Sequence, residues 1–180
     1  MKKQKKSTKY LLQASAIAGL YATLTILQNV LLPGTASMAV QLRVSEVLTM
    51  LAVYTPAAIP GLTVGCVLAN ISSLSVLGPY DMIFGSLASL LAAVLMYALR
   101  NVRFFKLPIL SALMPALANG IIVGFEIEFF LIEGGFHFES FLLQAGLVAL
   151  GEFIVLMVLG LAFSRVIETR NIDKSLLSID

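Results

Sequence analysis

Apolar residues run along this chain in six long blocks, separated by short polar or Pro/Gly-containing breaks at Pro33–Gln41, Tyr54–Pro60, Ser72–Asp81, Arg100–Pro108 and Glu133–Ser140. The blocks are Tyr10–Leu32, Leu42–Tyr54, Gly61–Val76, Met82–Leu99, Ile109–Ile132 and Phe141–Val166. Crossing the hydrocarbon core takes about 20 apolar residues in a helix, a length the first block meets. Its Lys-rich lead-in resembles a secretory leader, but the apolar part of a leader runs only about 7–15 residues, so the block is read as a retained first span. The second and third blocks are short and lie beside Pro-rich breaks. They predict tilted or interrupted helices, which a bilayer tolerates only where protein or a cavity satisfies the backbone. The pattern predicts an all-α integral membrane bundle of six transmembrane helices over residues 10–168, between a basic tail, 1–9, and a C-terminal tail, 169–180. No internal repeat and no separate soluble domain is expected.

Composition supports the membrane reading. The chain is 59% hydrophobic and 12% charged, against roughly 25% charged for a soluble domain. Placement of charge along the chain says more than its total. Lys2, Lys3, Lys5, Lys6 and Lys9 precede the first block, Arg100, Arg103 and Lys106 separate the fourth from the fifth, and Arg165, Arg170 and Lys174 follow the sixth. Of the 12 basic residues only Arg43 lies elsewhere. Cytoplasmic loops collect Lys and Arg, so both termini are expected in the cytoplasm and the breaks at Pro33–Gln41, Ser72–Asp81 and Glu133–Ser140 outside. Nucleic acid is not an implied partner. Cys66, the single cysteine, cannot form an intrachain disulfide and reads as a small packing residue.

Polar side chains within the blocks are the candidate site, because a charge near the bilayer centre costs roughly 2.5–3.5 kcal/mol on insertion scales and usually faces a cavity, partner or ligand. They are Glu126, Glu152, Asn119, Asn70, Arg43, Glu46 and Asp81. Asn119 and Glu152 fall near mid-membrane. Glu126 falls about 10 Å further out, at about 1.5 Å per helical residue. The set therefore describes a pocket in the outer half, open to the exterior and closed below by apolar residues. Asn119 and Glu126, seven apart, share a helix face; Glu128 points roughly the other way and is expected near the interface or in a helix contact. Arg43 and Glu46, three apart, could form an ion pair that pins a short helix, or touch ligand directly. Asn70, Asn119 and Glu152 could instead bond between helices, and Asp81 could cap its helix. His137, in the break Glu133–Ser140, is read as solvated. In the first block Ala14, Ala18 and Ala22 form a stripe that permits close helix approach, either a docking face for another membrane protein or internal packing.

The chain has no phosphate-binding Gly-x-x-x-x-Gly-Lys-Ser/Thr loop, no His-Glu-x-x-His zinc motif and no Gly-x-Ser-x-Gly elbow. It cannot hydrolyse ATP alone, and neither catalytic nor metal-ligating residues are assigned.

The stretch Gln41-Leu-Arg-Val-Ser-Glu46, then Tyr54-Thr-Pro-Ala-Ala-Ile-Pro-Gly61, Gly65-Cys-Val-Leu-Ala-Asn70, Asp81-Met-Ile-Phe-Gly-Ser-Leu-Ala88, Leu117-Ala-Asn-Gly-Ile-Ile-Val-Gly124 with Glu126, and Gly151-Glu152 resembles the QueT family. The resemblance implies the substrate-binding S-component of an energy-coupling factor (ECF) importer of the ABC class. Such a protein is multi-pass in the prokaryotic cell membrane and captures a 7-deazaguanine precursor of queuosine from outside. It implies as partners a transmembrane coupling (T) subunit and two cytoplasmic ATPase subunits, which use the ATP, with no cofactor in this chain. It also favours docking for Ala14, Ala18 and Ala22. A guanine-like edge presents adjacent N–H donors that one carboxylate can accept, which places Glu126 and Glu152 first among the contacts. A self-contained carrier, an S-component for another vitamin-like or nucleobase ligand, and a membrane-embedded enzyme using carboxylates are the alternatives.

Overall fold

The computed structural model describes residues 2–33, 35, 40–74 and 78–177. Parts of two expected outer breaks (34, 36–39 and 75–77), residue 1 and residues 178–180 of the tails lie outside the described residues, as do the side chains of residues 2–5, Lys2, Lys3 and Lys5 among them, and of residues 73 and 176. The chain is all-helical, 81% helix, with no strand among the described residues. Helix α1 covers Lys2–Leu31, and a 3₁₀ segment covers Val44–Val53. Then come α2 (Ala58–Asn70), α3 (Tyr80–Ala98), α4 (Ile109–Glu126), α5 (Phe138–Val155) and α6 (Leu161–Thr169). π-helical turns at Ile127–Leu131 and Leu156–Gly160 extend α4 and join α5 to α6.

Four helical stretches are long and apolar enough to cross a membrane: Lys6–Leu31, Tyr80–Ala98, Ile109–Leu131 and Phe138–Thr169. Val44–Val53 and Ala58–Asn70 are the two shorter apolar helices. All six expected blocks are thus helical, with shifts at their ends. The first helix runs back through the basic tail, and α2 starts at Ala58 and ends at Asn70, ahead of a 3₁₀ turn at Ile71–Ser73. The last stretch is 32 residues, about 48 Å at 1.5 Å per residue, and so exceeds the roughly 30 Å hydrocarbon core.

The second block differs most from expectation. It is a 10-residue 3₁₀ helix, wound at about 2.0 Å per residue, so its few residues reach about 20 Å rather than the 15 Å of an α-helix. It packs against α1, α2, α3, α4, α5, the Leu156–Gly160 turn and α6. Eight of its ten side chains are buried, which makes this segment the axis of the bundle. Around it α1 packs on α2, α2 on α3, α3 on α4 and α4 on α5.

Small residues set the closest of these contacts. A Cβ on Gly61 would lie 2.8 Å from the Ala14 carbonyl oxygen, and one on Gly65 would lie 3.1 Å from Ala18 Cα. On the other side, a Cβ on Gly124 would lie 2.6 Å from Ala145 Cα. Backbones this close gain dispersion contacts that larger residues would forbid. Ala18 and Ala22 are buried and Ala14 is half-buried, and of the stripe Ala14 and Ala18 pack against Gly61 and Gly65 of α2. The small residues of α1 that do face outward are Ser15, Gly19 and Thr23, at four-residue spacing, with Ala16 beside them.

The main apolar core, including Ile17, Met50, Leu62, Met96, Ala112 and Leu156, lies between the polar cluster described below and the end of the bundle that carries the basic residues. At that end Tyr10, Arg100, Arg103 and Lys174 line one cavity. The beginning of α1, the turn after α3 and the C-terminal segment therefore meet. At the opposite end, Tyr80, Phe84, Phe125, Phe129, Phe130 and Phe136 form a connected aromatic cluster, with Tyr80 and Phe130 stacked at 4.4 Å. Most of these rings are partly exposed, the arrangement of an interfacial aromatic belt.

Candidate functional site

Every charged or amide residue singled out from the sequence is buried: Arg43, Glu46, Asn70, Asp81, Asn119, Glu126 and Glu152. They come from the 3₁₀ axis, α2, α3, α4 and α5, and they converge. Arg43 lies within electrostatic reach of Glu46, Asp81, Glu126 and Glu152. Buried charges are tolerated only with such compensation.

Arg43 is the N-cap of the 3₁₀ helix and has extended backbone, φ −81° and ψ 104°. Its carbonyl accepts the first bond of the turn, from the Glu46 N–H at 3.1 Å. The Glu46 carboxylate accepts a hydrogen bond from the Tyr21 hydroxyl. Tyr21 is fully buried.

Amides orient other members. Asn119 Nδ2 donates to Glu152 Oε1 at 3.0 Å, joining α4 to α5. Asn70 Nδ2 donates to the Asp81 carbonyl at 2.9 Å and lies 3.6 Å from Cys66 Sγ, joining α2 to the start of α3. A side chain at Gly85 would meet Asn70 Nδ2 at 3.0 Å and Asp81 Oδ1 at 3.3 Å, so the glycine keeps the space beside both open.

Three carboxylate oxygens are left over. Among the described residues Glu46 Oε2, Glu126 Oε2 and Glu152 Oε2 are buried and have no hydrogen-bond partner. Leaving a buried acceptor unmatched costs about 1–3 kcal/mol, more when it is charged, so three such oxygens in one cluster single it out as the candidate binding site. Among the described residues no three His, Cys, Asp or Glu side chains are grouped as metal ligands. The arrangement suits an organic molecule rich in N–H donors.

Glu128 has a different task. It accepts from the His137 backbone N–H at 3.0 Å and from the Ser140 hydroxyl. His137 is the N-cap of α5, so this carboxylate satisfies orphan donors at a helix start, a helix contact of the kind its phase implies.

Several supporting residues were not expected. Tyr21 orients Glu46. Cys66, read from the sequence as packing, lies beside the polar cluster and accepts from Asn70 Nδ2 at 3.6 Å; its i−4 spacing from Asn70 was the available signal. The approach of residues 41–44 is fixed by Gln28, which accepts from the Val44 N–H at 2.8 Å and donates to the Leu42 carbonyl at 2.7 Å. Thr25 donates to Ser45 at 2.6 Å. Gly151 carries the Gln41 backbone directly on its surface, since a Cβ there would lie 2.5 Å from the Gln41 carbonyl oxygen.

The comparisons with known proteins bear on this site. The family model described as QueT transporter matches residues 11–169, a range that contains every residue of the cluster. Neither the curated proteins nor the solved structures gave a match.

Proposed function

This chain belongs to the QueT transporter family, and we propose that it is the substrate-binding S-component of an ECF-type importer that captures a 7-deazaguanine precursor of queuosine from outside the cell. The observation that carries the reading is the set of three buried carboxylate oxygens without partners, Glu46 Oε2, Glu126 Oε2 and Glu152 Oε2, around Arg43. A 7-deazaguanine presents adjacent ring and exocyclic N–H donors that one carboxylate can accept together, and its carbonyl suits Arg43 or an amide. The acids Glu46, Asp81, Glu126 and Glu152 outnumber the one cation, Arg43.

In this reading the two short helices are spans as well, giving six, and the basic end of the bundle is cytoplasmic. The aromatic belt then lies at the outer interface, with the polar cluster nearer to it than the main apolar core. Ligand enters from outside and is stopped below by that core. The chain carries no phosphate loop, so movement is driven by the partners: a coupling T subunit and two cytoplasmic ATPases, which use ATP. This chain needs no cofactor and performs no chemistry on its ligand.

The test is to purify the chain, identify the retained small molecule by mass spectrometry, and compare uptake in vesicles with and without the ATPase and coupling subunits. Binding by the chain alone with uptake only in the full assembly is expected. Robust accumulation by the chain alone would overturn the reading in favour of a self-contained carrier.

A further inference from the structure

The basic end of the bundle holds a polar cavity of about 560 Å³, with Tyr10, Tyr97, Arg100, Asn101, Arg103 and Lys174 in its lining. It lies beyond the main apolar core and shares no residue with the carboxylate cluster. Arg103 is committed: it pairs with Glu168 at 2.6 Å, and Glu168 also accepts from the Tyr54 hydroxyl. Arg100 is less so. Its guanidinium lies 3.9 Å above the Tyr97 ring and donates one hydrogen bond, to the Tyr97 carbonyl at 2.7 Å. A guanidinium carries five donors, and stacking on an aromatic face leaves the remaining edge free to meet an oxyanion. Lys174 is exposed and adds a movable cation.

Beside this cavity the chain makes a tight turn, closed by reciprocal hydrogen bonds between Phe104 and Leu107 at 2.9 Å. Phe105 and Lys106 are held there in left-handed backbone, φ 51° and 65°, an unfavourable conformation for a residue with a side chain. Its product is a Phe105 side chain that is 92% exposed, next to Phe104 at 53%. Aromatic rings thrust out between Arg103 and Lys106, at the level where apolar spans end, fit a headgroup layer rather than bulk water.

We propose that the cavity binds the phosphate of an anionic phospholipid, with the Phe104–Phe105 turn embedded beside it. Arg100 and Lys174 receive the phosphate. Asp173, also in the lining, accepts from the hydroxyls of a glycerol headgroup. The basic lining matches the negative charge of a cytoplasmic leaflet, where each Lys or Arg near the surface is worth about five-fold in affinity. The inference does not depend on what the carboxylate cluster binds.

The test places the whole chain in phosphatidylcholine nanodiscs with and without phosphatidylglycerol, counts retained lipids by native mass spectrometry and follows thermal unfolding. Retention of phosphatidylglycerol over phosphatidylcholine and a raised Tm are expected. Arg100→Gln and Lys174→Gln should each lower the preference by about five-fold. Arg100→Lys, which keeps the charge, should restore most of it, and unfolding in pure phosphatidylcholine controls for a packing defect. Inorganic phosphate titrated into phosphatidylcholine nanodiscs should not reproduce the shift; if it does, the ligand is a free anion and the lipid assignment fails. Equal retention of both lipids, with Phe105→Ser instead losing co-purified membrane subunits, would assign the surface to a protein partner and overturn the proposal.

Discussion

Replacing Glu152 by Gln separates a ligand-binding carboxylate from a structural one, because the two roles move stability in opposite directions. In the free protein Glu152 Oε1 accepts from Asn119 and Oε2 is buried without a partner. An amide fits the same volume. Its oxygen keeps the Asn119 bond, and its NH₂ takes the place of Oε2, where no donor is being lost. The substitution also removes one of four carboxylates crowded around Arg43. The unliganded protein should therefore be as stable as before or more so. Ligand binding should suffer, since the amide turns a donor toward the N–H donors of a guanine-type edge. Leaving a buried group unmatched costs about 1–3 kcal/mol, which is about five- to 150-fold in Kd. The assay is equilibrium binding of a 7-deazaguanine to wild type and Glu152→Gln, with thermal unfolding of both proteins without ligand. Unchanged Kd together with a lowered Tm would show that Glu152 serves only to join α4 to α5, and the reasoning from its open oxygen would fail.

Tyr21→Phe should weaken binding and lower folding stability together, by about 1–3 kcal/mol each, because it removes the Tyr21 hydrogen bond to the Glu46 carboxylate; binding and unfolding measured side by side check this. Gly151→Ala should impair binding although it changes no polar group, since the new methyl would overlap the Gln41 backbone and push the segment that carries Arg43; wild-type affinity in this variant would show that residues 41–43 move freely. Ala18→Leu should destabilise the fold by roughly 1–3 kcal/mol through overpacking, because Ala18 backs directly onto Gly65. Gly19→Leu, with nothing within 4 Å of a Cβ and a better helix former than glycine, should not lower Tm, so any loss of co-purifying coupling subunit in that variant reports docking alone.

How much of this was legible in the sequence follows from which physical signals are one-dimensional. The helical blocks were legible because a membrane tolerates only long apolar runs, and the polar cluster because a charge in such a run needs a reason. Glu126 and Glu128 could be separated by helical phase alone. The setting of Glu46 could not, since its hydrogen bond comes from Tyr21, 25 positions away along the chain. Cys66 and Tyr21 were hidden as well, because their side chains pass as apolar filler until Asn70 and Glu46 are seen to meet them. The Ala14/Ala18/Ala22 stripe shows the limit most clearly. Small residues on one face say that another backbone comes close, but not whose, and the partner became identifiable only through Gly61 and Gly65, which sit four residues apart on α2 and match the stripe in spacing. A helix can use one small face for its own bundle and another for a neighbour, so the outward face of Ser15, Gly19 and Thr23 is where any partner helix has room to approach.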